Sequence, residues 1–350
     1  MKLFKQLLVA PAALGLMAPM AVNADSLPNG VEAGAFSATT QMSGTAFFTT
    51  GSVGDGGAAD NQEELYMQYA YELNLDSTFT GEDNLHVGIE AGNASGPLAG
   101  LDSAIDSGDG LEVASMFYAF PVGQMEVTVG PKLLQDDVLA ATTSAYSDSF
   151  RLGAMPFSQA GEEEGPGIAV SYANDNGWVA SASYISVDGT DSTVGISGDG
   201  QDVSTLTLGW NGDNGFGGGI AITSNDGEGT TNGVANNGYD TFGGGVYYTP
   251  DSIPATISVS FDTTDPEVGN DSTDLFIGVD YSVGAGTLSA AYNTTDVDGG
   301  SDDLDTTGFE VSYSYPLNDY VTITPGFYSV ENNNGADDDN GVVVETAFSF

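Results

Sequence analysis

The chain contains no cysteine, and only 4 of its 350 residues are lysine or arginine. Against these stand 50 acidic residues and one histidine, which gives a formal net charge of −46 at pH 7. Without cysteine, a disulfide framework is excluded. With so few basic side chains, nucleic acid is excluded as a partner, and so is docking through a basic patch on anionic lipid, because both need clustered Lys and Arg.

Long apolar runs are also missing after the first residues. Residues 1–24, MKLFKQLLVAPAALGLMAPMAVNA, place Lys2 and Lys5 before a short apolar stretch that two prolines and a glycine interrupt. This pattern predicts a secretory signal peptide cleaved after Ala24. An anchoring helix is the alternative, but a spanning helix needs about 20 apolar residues. No later segment has that length, so we expect no helical membrane span.

Hydrophobic residues nevertheless make up 40% of the chain, and they recur at every second position. In GVVVETAFSF, residues 341–350, Val342, Val344, Phe348 and Phe350 share one face of an extended strand, while the intervening residues take the other. The segment LYMQYAYELNL, residues 65–75, alternates in the same way. A period of two predicts β-strands. About 16 such segments of roughly 9–11 residues are present, a length that suits a tilted membrane-crossing strand.

The connections between these segments alternate between short and long. Tight turns built from Asn, Asp, Gly and Pro, as in NDNG at 174–177, are followed by acidic, Gly-rich stretches such as 188–202, 224–240 and 262–273. This asymmetry is typical of outer-membrane barrels, with short periplasmic turns and long external loops. Residues 25–350 are therefore predicted to form an all-β, transmembrane, antiparallel up-and-down β-barrel. A soluble two-sheet sandwich is the alternative, but its loops need not alternate in length.

Several stretches resemble the barrel portion of cyanobacterial outer-membrane porins. They are FSATTQMSGTAFF, FTGEDNLHVGIEAGN and, above all, FYAFPVGQMEVTVGPKLLQDDVLA. The resemblance implies passive passage of small solutes and inorganic ions, with iron among the candidates. It also implies a homotrimer, for which the sequence shows no interface signature, and contact of the terminal Phe350 with the barrel-insertion machinery. The surface-layer-homology domain usual in that family does not fit between residues 24 and 36.

The longest predicted connection, residues 131–166, is the candidate for function. Connections of this length are uncommon in compact domains, and functional loops are prominent among them. As the third external loop it is expected to fold inward and narrow a water-filled barrel, where facing charges set ion selectivity. The alternative is that its basic side chains form surface ion pairs of little energetic value. The predicted constriction residues are Lys132, Asp136, Asp137, Arg151, Glu162, Glu163 and Glu164.

Two other features carry weaker predictions. His86 and Glu90 alternate with apolar residues in the third strand, which places them on the polar, lumen-facing side, where we expect a solvated histidine. A lone histidine among abundant Ser and Asp does not identify an enzyme, and no catalytic residues and no cofactor are predicted. The loop DVDGGSDDLD offers hard oxygen ligands without the EF-hand spacing. It predicts at most weak Ca²⁺ binding by Asp296, Asp298, Asp302, Asp303 and Asp305.

Together these patterns predict an outer-membrane porin embedded in lipid. It would be a passive diffusion channel for small hydrophilic solutes and inorganic ions, with a preference for cations. A non-conducting surface barrel with a structural, adhesive or divalent-cation-binding role is the second hypothesis.

Overall fold

The computed structural model describes residues 39–55, 64–147, 150, 163–212, 214–231, 234–299, 305–331 and 338–350. The predicted signal peptide at 1–24 lies outside these ranges. The predicted site residues Arg151, Glu162, Asp302 and Asp303 lie outside them as well.

Sixteen strands pair antiparallel in one closed ring. Each barrel strand pairs with the barrel strands before and after it in the sequence, and the first pairs with the last. The predicted all-β, up-and-down barrel is therefore confirmed. Two further strands, β10 (Thr230–Thr231) and β11 (Val234–Ala235), pair with each other outside the ring. The barrel strands are β1 (Thr40–Asp55), β2 (Tyr66–Ser77), β3 (Asn84–Gly92), β4 (Glu112–Val122), β5 (Met125–Leu134), β6 (Glu164–Ala173), β7 (Trp178–Ser186), β8 (Asp202–Asn211), β9 (Phe216–Asn225), β12 (Tyr239–Tyr248), β13 (Ala255–Pro266), β14 (Ser272–Val283), β15 (Gly286–Val297), β16 (Thr306–Asn318), β17 (Val321–Glu331) and β18 (Asp339–Ser349).

Helix is almost absent from the part of the chain that the structure describes. Over the described ranges there are two 3₁₀ helices, Gly96–Gly100 and Asp136–Val138. No helix in the described part of the chain has the length and hydrophobicity needed to cross a bilayer.

The ring closes where β1 pairs with β18, in a register that runs from Thr45 opposite Ser349 to Asp55 opposite Asp339. Phe350 extends this seam, because its backbone N–H and C=O both bond to Gly44, at 3.1 and 3.0 Å. A Cβ at position 44 would lie 2.7 Å from the Phe350 ring. The seam therefore needs a residue without a side chain at that position.

The two faces of the barrel wall differ in chemistry, as the alternation predicts. In β8 Leu206 is 59% exposed, whereas its neighbour Thr205 is 1% exposed. The same contrast continues around the ring, with exposed Leu, Ile, Val and Phe outward and buried Ser, Thr and Gly inward. The outward face is thus apolar and open, and the inner face is polar and covered.

Connections at one end of the barrel are short, such as residues 123–124, 174–177, 284–285 and 319–320. At the other end they are mostly longer, including 93–111, 135–163 and 187–201. One predicted long loop, 262–273, is wrong in extent. Asp262, Thr263 and Thr264 pair with Asp274, Thr273 and Ser272, so the ladder continues into the acidic segment and the connection shrinks to 267–271.

Candidate functional site

The inner face of the barrel is covered by the connection that follows β5. The first part of this connection, residues 135–147, is called the strap below. It begins with the 3₁₀ helix Asp136–Val138, and most of its side chains are buried. Its contacts are with inward-facing side chains of the wall, so the strap lies inside the ring.

The strap follows the wall from one strand to the next. The Gln135 side-chain amide donates to the hydroxyl oxygens of Thr205 on β8 and Thr223 on β9, at 2.5 and 3.2 Å. Further along, the backbone N–H of Ala145 donates to Ser258 Oγ on β13 at 3.0 Å. The backbone N–H of Ala140 likewise donates to Ser181 Oγ on β7 at 3.0 Å. Wall hydroxyls thus accept hydrogen bonds from strap backbone N–H groups that have no β-pairing partner.

The far end of the strap is held by carboxylates. Ser147 donates from its backbone N–H and from its hydroxyl to the Asp280 carboxylate on β14, at 2.9 and 2.6 Å. The Tyr146 hydroxyl donates to Glu310 Oε1 on β16 at 2.7 Å. Hydrogen bonds to charged acceptors are about twice as strong as neutral ones. The strap is therefore fixed at both ends and along its length.

Glycines on the inner wall make room for this path. A Cβ at Gly245 on β12 would lie 2.4 Å from the Thr143 carbonyl oxygen, and one at Gly326 on β17 would lie 2.3 Å from the Phe150 ring. Contacts this short cannot be accommodated without moving the strap or the wall. The same relation recurs at Gly209 and Gly219 against Ala141, and at Gly278 against Tyr146.

A second connection, residues 93–111, also turns inward. The Gln68 side-chain amide on β2 donates to the Leu98 carbonyl at 2.9 Å, and the backbone N–H of Asp102 donates to the Phe150 carbonyl at 2.6 Å. Apolar side chains from this connection and from the region after β5 form one buried cluster against the wall. The cluster contains Val53, Leu98, Leu101, Tyr146, Phe150, Phe276, Ala291, Tyr328, Val330 and Val343.

The predicted constriction residues are not all brought together. Lys132 and Glu164 form an ion pair at 2.9 Å with 33% and 47% of their side chains exposed. Both lie in strands, opposite Met116 and Leu134, and next to Leu133, which is fully buried on the inner side. A register shift between Gly130 and Leu133 sets this orientation. The pair therefore lies on the outward face, which corrects its predicted place at the constriction.

The remaining described members lie at the start and end of the inward connection. The Glu163 carboxylate accepts from Gln201 and Asn225 at 3.1 and 3.2 Å, and Asn225 is buried. Asp136 is buried within the 3₁₀ helix. Burial raises the pKa of Asp137 to about 6. These three carboxylates, but not the ion pair, lie on the covered side of the wall.

His86 lies on the inner face of β3, opposite Phe117 of β4. Its Nδ1 is 2.8 Å from Asp76 Oδ1, and its ring stacks on Phe117 at a centroid distance of 4.8 Å. It is only 2% exposed, so the expected solvated histidine is instead buried. Glu90 lies on the same face, directly opposite Glu72. With its ring enclosed, His86 offers no open approach for a substrate.

Three of the predicted calcium residues, Asp296, Asp298 and Asp305, lie in the described ranges, at the end of β15 and next to it. Asp296 is in β15, Asp305 accepts the backbone N–H of Val297 at 3.0 Å, and Asp298 donates its N–H to the Asp271 carbonyl at 2.8 Å. No group of three or more His, Cys, Asp or Glu side chains in the described ranges is arranged to hold a metal ion. These aspartates thus make local loop bonds.

Sequence reasoning missed the residues that fix the strap. Asp280 and Glu310 occur within ordinary strand alternation, as do the wall serines and threonines, so nothing in their spacing distinguishes them. The one usable signal was the coincidence of inward-facing glycines on several strands, which indicates close approach of another backbone.

No family model matches the chain, and no curated protein sequence matches it. Solved structures do. OprB of Pseudomonas putida aligns at 11% identity over 89% of this chain and 94% of its own, with a TM-score of 0.65. A loop-deletion mutant of OmpT, an outer-membrane protein of Vibrio cholerae, aligns at 13% identity over 89% and 99%, with a TM-score of 0.62. A mutant of the Rhodopseudomonas blastica porin aligns at 15% identity over 89% and 100%, with a TM-score of 0.55. At these identities the likeness is one of fold.

Proposed function

We propose that this chain is an outer-membrane porin, a passive diffusion channel for small hydrophilic solutes and inorganic ions. The observation that carries the proposal is the strap, a connection that runs inside a closed sixteen-strand ring and is fixed to its inner wall. A connection that lies inside the barrel narrows the aqueous passage at one height and leaves both mouths of the barrel wide. The likeness of fold to a porin and to an outer-membrane protein supports the same function.

The outward face supports a membrane location. Leu206, Ile222 and Ile277 are about half exposed, and many similar side chains surround them. A continuous apolar band of this kind is unfavourable in water. In hydrocarbon it is favourable, and a closed ring leaves no unpaired sheet edge there. We therefore place the barrel in the outer membrane, in contact with lipid.

A preference for cations follows from the charge on the inner face. Carboxylates of Glu72, Glu90, Asp280 and Glu310 face inward, whereas Lys132, the one Lys or Arg in the described ranges, faces outward. A low-dielectric wall strengthens the field of such charges in a narrow passage. The field favours cations without a tight binding site, which would slow conduction.

The test is single-channel recording of the purified protein in planar bilayers under a salt gradient. We expect stepwise, ohmic conductance and a reversal potential of the sign that cation flow gives. Replacing the facing pair, Glu72→Gln with Glu90→Gln, is expected to move the reversal potential toward zero. The matched control is Asp240→Asn, an exposed carboxylate beside the inward Thr241. An anion-selective channel would contradict the charge argument.

The apolar cluster inside the ring favours a second candidate, a non-conducting surface barrel. Leu98, Leu101 and Phe150 fill part of the interior on the β1, β17 and β18 side. If these residues close the passage, the protein inserts into bilayers without conductance. Insertion into the bilayer without current would favour this candidate over the porin. The control is that the same preparation resists unfolding in SDS at room temperature, which shows that the barrel is intact.

A further inference from the structure

The inward connection between β3 and β4, residues 93–111, has its own base and is called the clasp below. At the base, the backbone N–H of Ala94 donates to the Ile105 carbonyl at 3.0 Å. A Cβ at Gly92 would lie 2.2 Å from the same carbonyl oxygen, so the two ends of the loop come this close only because position 92 has no side chain. The clasp is therefore a compact loop that turns inward as one piece.

Two side chains of β2 hold the centre of the clasp. The Tyr66 hydroxyl accepts the backbone N–H of Leu98 at 2.8 Å and donates to the Ser95 carbonyl at 3.1 Å. The Gln68 side-chain amide, only 3% exposed, donates to the Leu98 carbonyl at 2.9 Å. Leu98 is fully buried, and a Cβ at Gly51 of β1 would lie 3.0 Å from its side chain. The wall thus pairs both backbone groups of a buried residue, which would be costly to leave unpaired.

The clasp also reaches β18 and the residues that follow the strap. The Ser103 hydroxyl donates to the Glu345 carboxylate on β18. The backbone N–H of Asp102 donates to the Phe150 carbonyl at 2.6 Å, and the buried apolar cluster joins the clasp to Tyr146 at the end of the strap. These contacts place the clasp at the same height in the barrel as the far end of the strap.

The clasp and the beginning of the strap are attached to opposite walls. In the ring of sixteen strands, β9 is eight steps from β1 in either direction. The strap bonds to β9 through Gln135, at 3.2 Å from Thr223, whereas the clasp lies on β18, β1 and β2. Two inward connections on opposite walls narrow a passage from both sides, and pore diameter is one of the properties that set selectivity.

We propose that the clasp is the second half of the constriction and that Gln68 and Tyr66 are the side chains that position it. The size limit and the conductance of the channel are then set by the gap between clasp and strap, and not by the strap alone. This inference rests on the proposed function, because it names the part of the same passage that selects solutes by size. Gln68 and Tyr66 act through the clasp and need no contact with the solute.

The test is the double variant Gln68→Leu with Tyr66→Phe in the full chain. Leucine cannot donate to the Leu98 carbonyl, and phenylalanine has no hydroxyl to pair the Leu98 N–H, so the clasp should leave the wall. We expect faster hydrogen exchange of the amides in residues 96–102, measured by mass spectrometry. We also expect a shift of the single-channel conductance to a higher value, and a smaller difference between a monosaccharide and a trisaccharide in liposome-swelling rate.

The matched control is Gln41→Leu with Tyr320→Phe. Both residues are exposed, and they lie at the opposite end of the barrel, at the start of β1 and in the short connection 319–320. The control should match the parent chain in conductance, in swelling rates and in the exchange of residues 96–102.

Two results with a conducting parent chain would overturn the proposal and leave the porin function standing. One is faster exchange in the clasp with unchanged conductance and size selection. The other is unchanged exchange in the double variant, because Gln68 and Tyr66 would then not position the clasp. If the double variant does not form an SDS-resistant barrel, Leu98→Ser replaces it, since this change leaves the wall intact, and the same results are required.

A parent chain without conductance would contradict the proposed function and would be judged separately. Current that appears only in the double variant would still support the clasp as an obstacle in the passage. Silence of both proteins would overturn the clasp proposal as well.

Discussion

Asp83 shows how much one side chain can contribute to a turn. It closes residues 78–83, between β2 and β3, and its Oδ1 accepts hydrogen bonds from the backbone N–H groups of Phe79 and Thr80, at 2.9 and 2.7 Å. Its Oδ2 accepts from the Tyr118 hydroxyl at 2.5 Å. Burial acts to raise the pKa of Asp83, but the hydrogen bonds from Tyr118, Thr80 and Thr78 together hold it well below its ordinary value.

This lowered pKa leads to the first prediction. When the pKa of a carboxyl group is lower in the folded state than in the unfolded state, its charge stabilises the fold. This stabilisation is complete at pH values above the pKa of the unfolded state, about 3.9, and is lost as the pH falls toward the pKa of the folded state. Asp83→Asn should therefore lower the unfolding temperature at pH 7, and the difference from the parent chain should narrow below about pH 4. Thermal unfolding in detergent from pH 7 to pH 2 measures both.

Asp251→Asn is the control, since Asp251 is an exposed acid in another short turn at the same end of the barrel. Its unfolding temperature should follow that of the parent chain at every pH. A difference for Asp83→Asn that stays constant across the whole pH range would contradict the role given to the charge.

The inward glycines give a second prediction at the same scale. Gly245→Ala places a Cβ 2.4 Å from the Thr143 carbonyl oxygen, so the strap or the wall must shift. Overpacking of this kind costs about 1–3 kcal/mol. Gly54→Ala on β1 is the control, because a Cβ there meets nothing within 4 Å. Chemical unfolding should separate the two variants, and equal stability would show that the strap does not press on the wall.

At the scale of elements, some properties of the strap can be predicted from the sequence and others cannot. The length of the connection after β5 and its position as the third long one are visible in the sequence. Its path is not, because the inner wall is lined by Ser, Thr and Gly throughout, and any of them suits a close neighbour. Lys132 was placed wrongly because the register shift after Gly130 changes which face it occupies, and alternation alone does not reveal such a shift.

Strand ends were misjudged for a related reason. The acidic stretch after Phe261 was predicted to be a loop from its composition, yet it continues the ladder to Pro266. Asp is depleted in strands on average. That average does not hold where an inward Asp, such as Asp262, faces another polar side chain across the ladder.

The fixed position of the strap can be tested by a cross-link. The chain has no cysteine, so Ala145→Cys with Ser258→Cys adds the sole pair. The Ala145 backbone nitrogen is 3.0 Å from Ser258 Oγ, which brings the two Cα atoms within the range that a disulfide spans. We expect the disulfide to form under mild oxidation, detected by a mobility shift in non-reducing gels.

Because the strap is already held against the wall, oxidation should leave the conductance close to that of the reduced protein. Each single-cysteine variant is the control for oxidation itself. A large conductance change on cross-linking would mean that the strap normally leaves the wall, and failure of the pair to cross-link would contradict its described position.

At the scale of the whole molecule, sequence reasoning was most successful. A period of two fixes which residues share a face regardless of the tertiary context, and the alternation of turn lengths fixes the up-and-down order. Both are geometric properties repeated sixteen times, so local errors at strand ends do not change the result. The net charge of −46 is equally insensitive to such errors, because it depends only on the composition of the chain and not on where each strand ends.

That charge gives the fourth prediction. If ion preference arises from the field of many carboxylates, then screening must weaken it. The Debye length falls from about 10 Å in 0.1 M salt to about 3 Å in 1 M salt. The cation-to-anion permeability ratio, measured from reversal potentials at a fixed tenfold KCl gradient, should therefore decrease as the mean concentration rises. A ratio independent of salt would point to a discrete binding site in place of a diffuse field.

The seam between β1 and β18 has a consequence for assembly. It joins the earliest strand of the ring to the latest, so the ring stays open until β18 has been made. Every partly formed sheet has two edge strands with unpaired backbone N–H and C=O groups, through which copies of the chain can aggregate. Ribosomal synthesis, which proceeds from β1 onward, cannot complete the fold stepwise. The newly made polypeptide therefore has to be kept apart from other copies of itself until all sixteen strands are present.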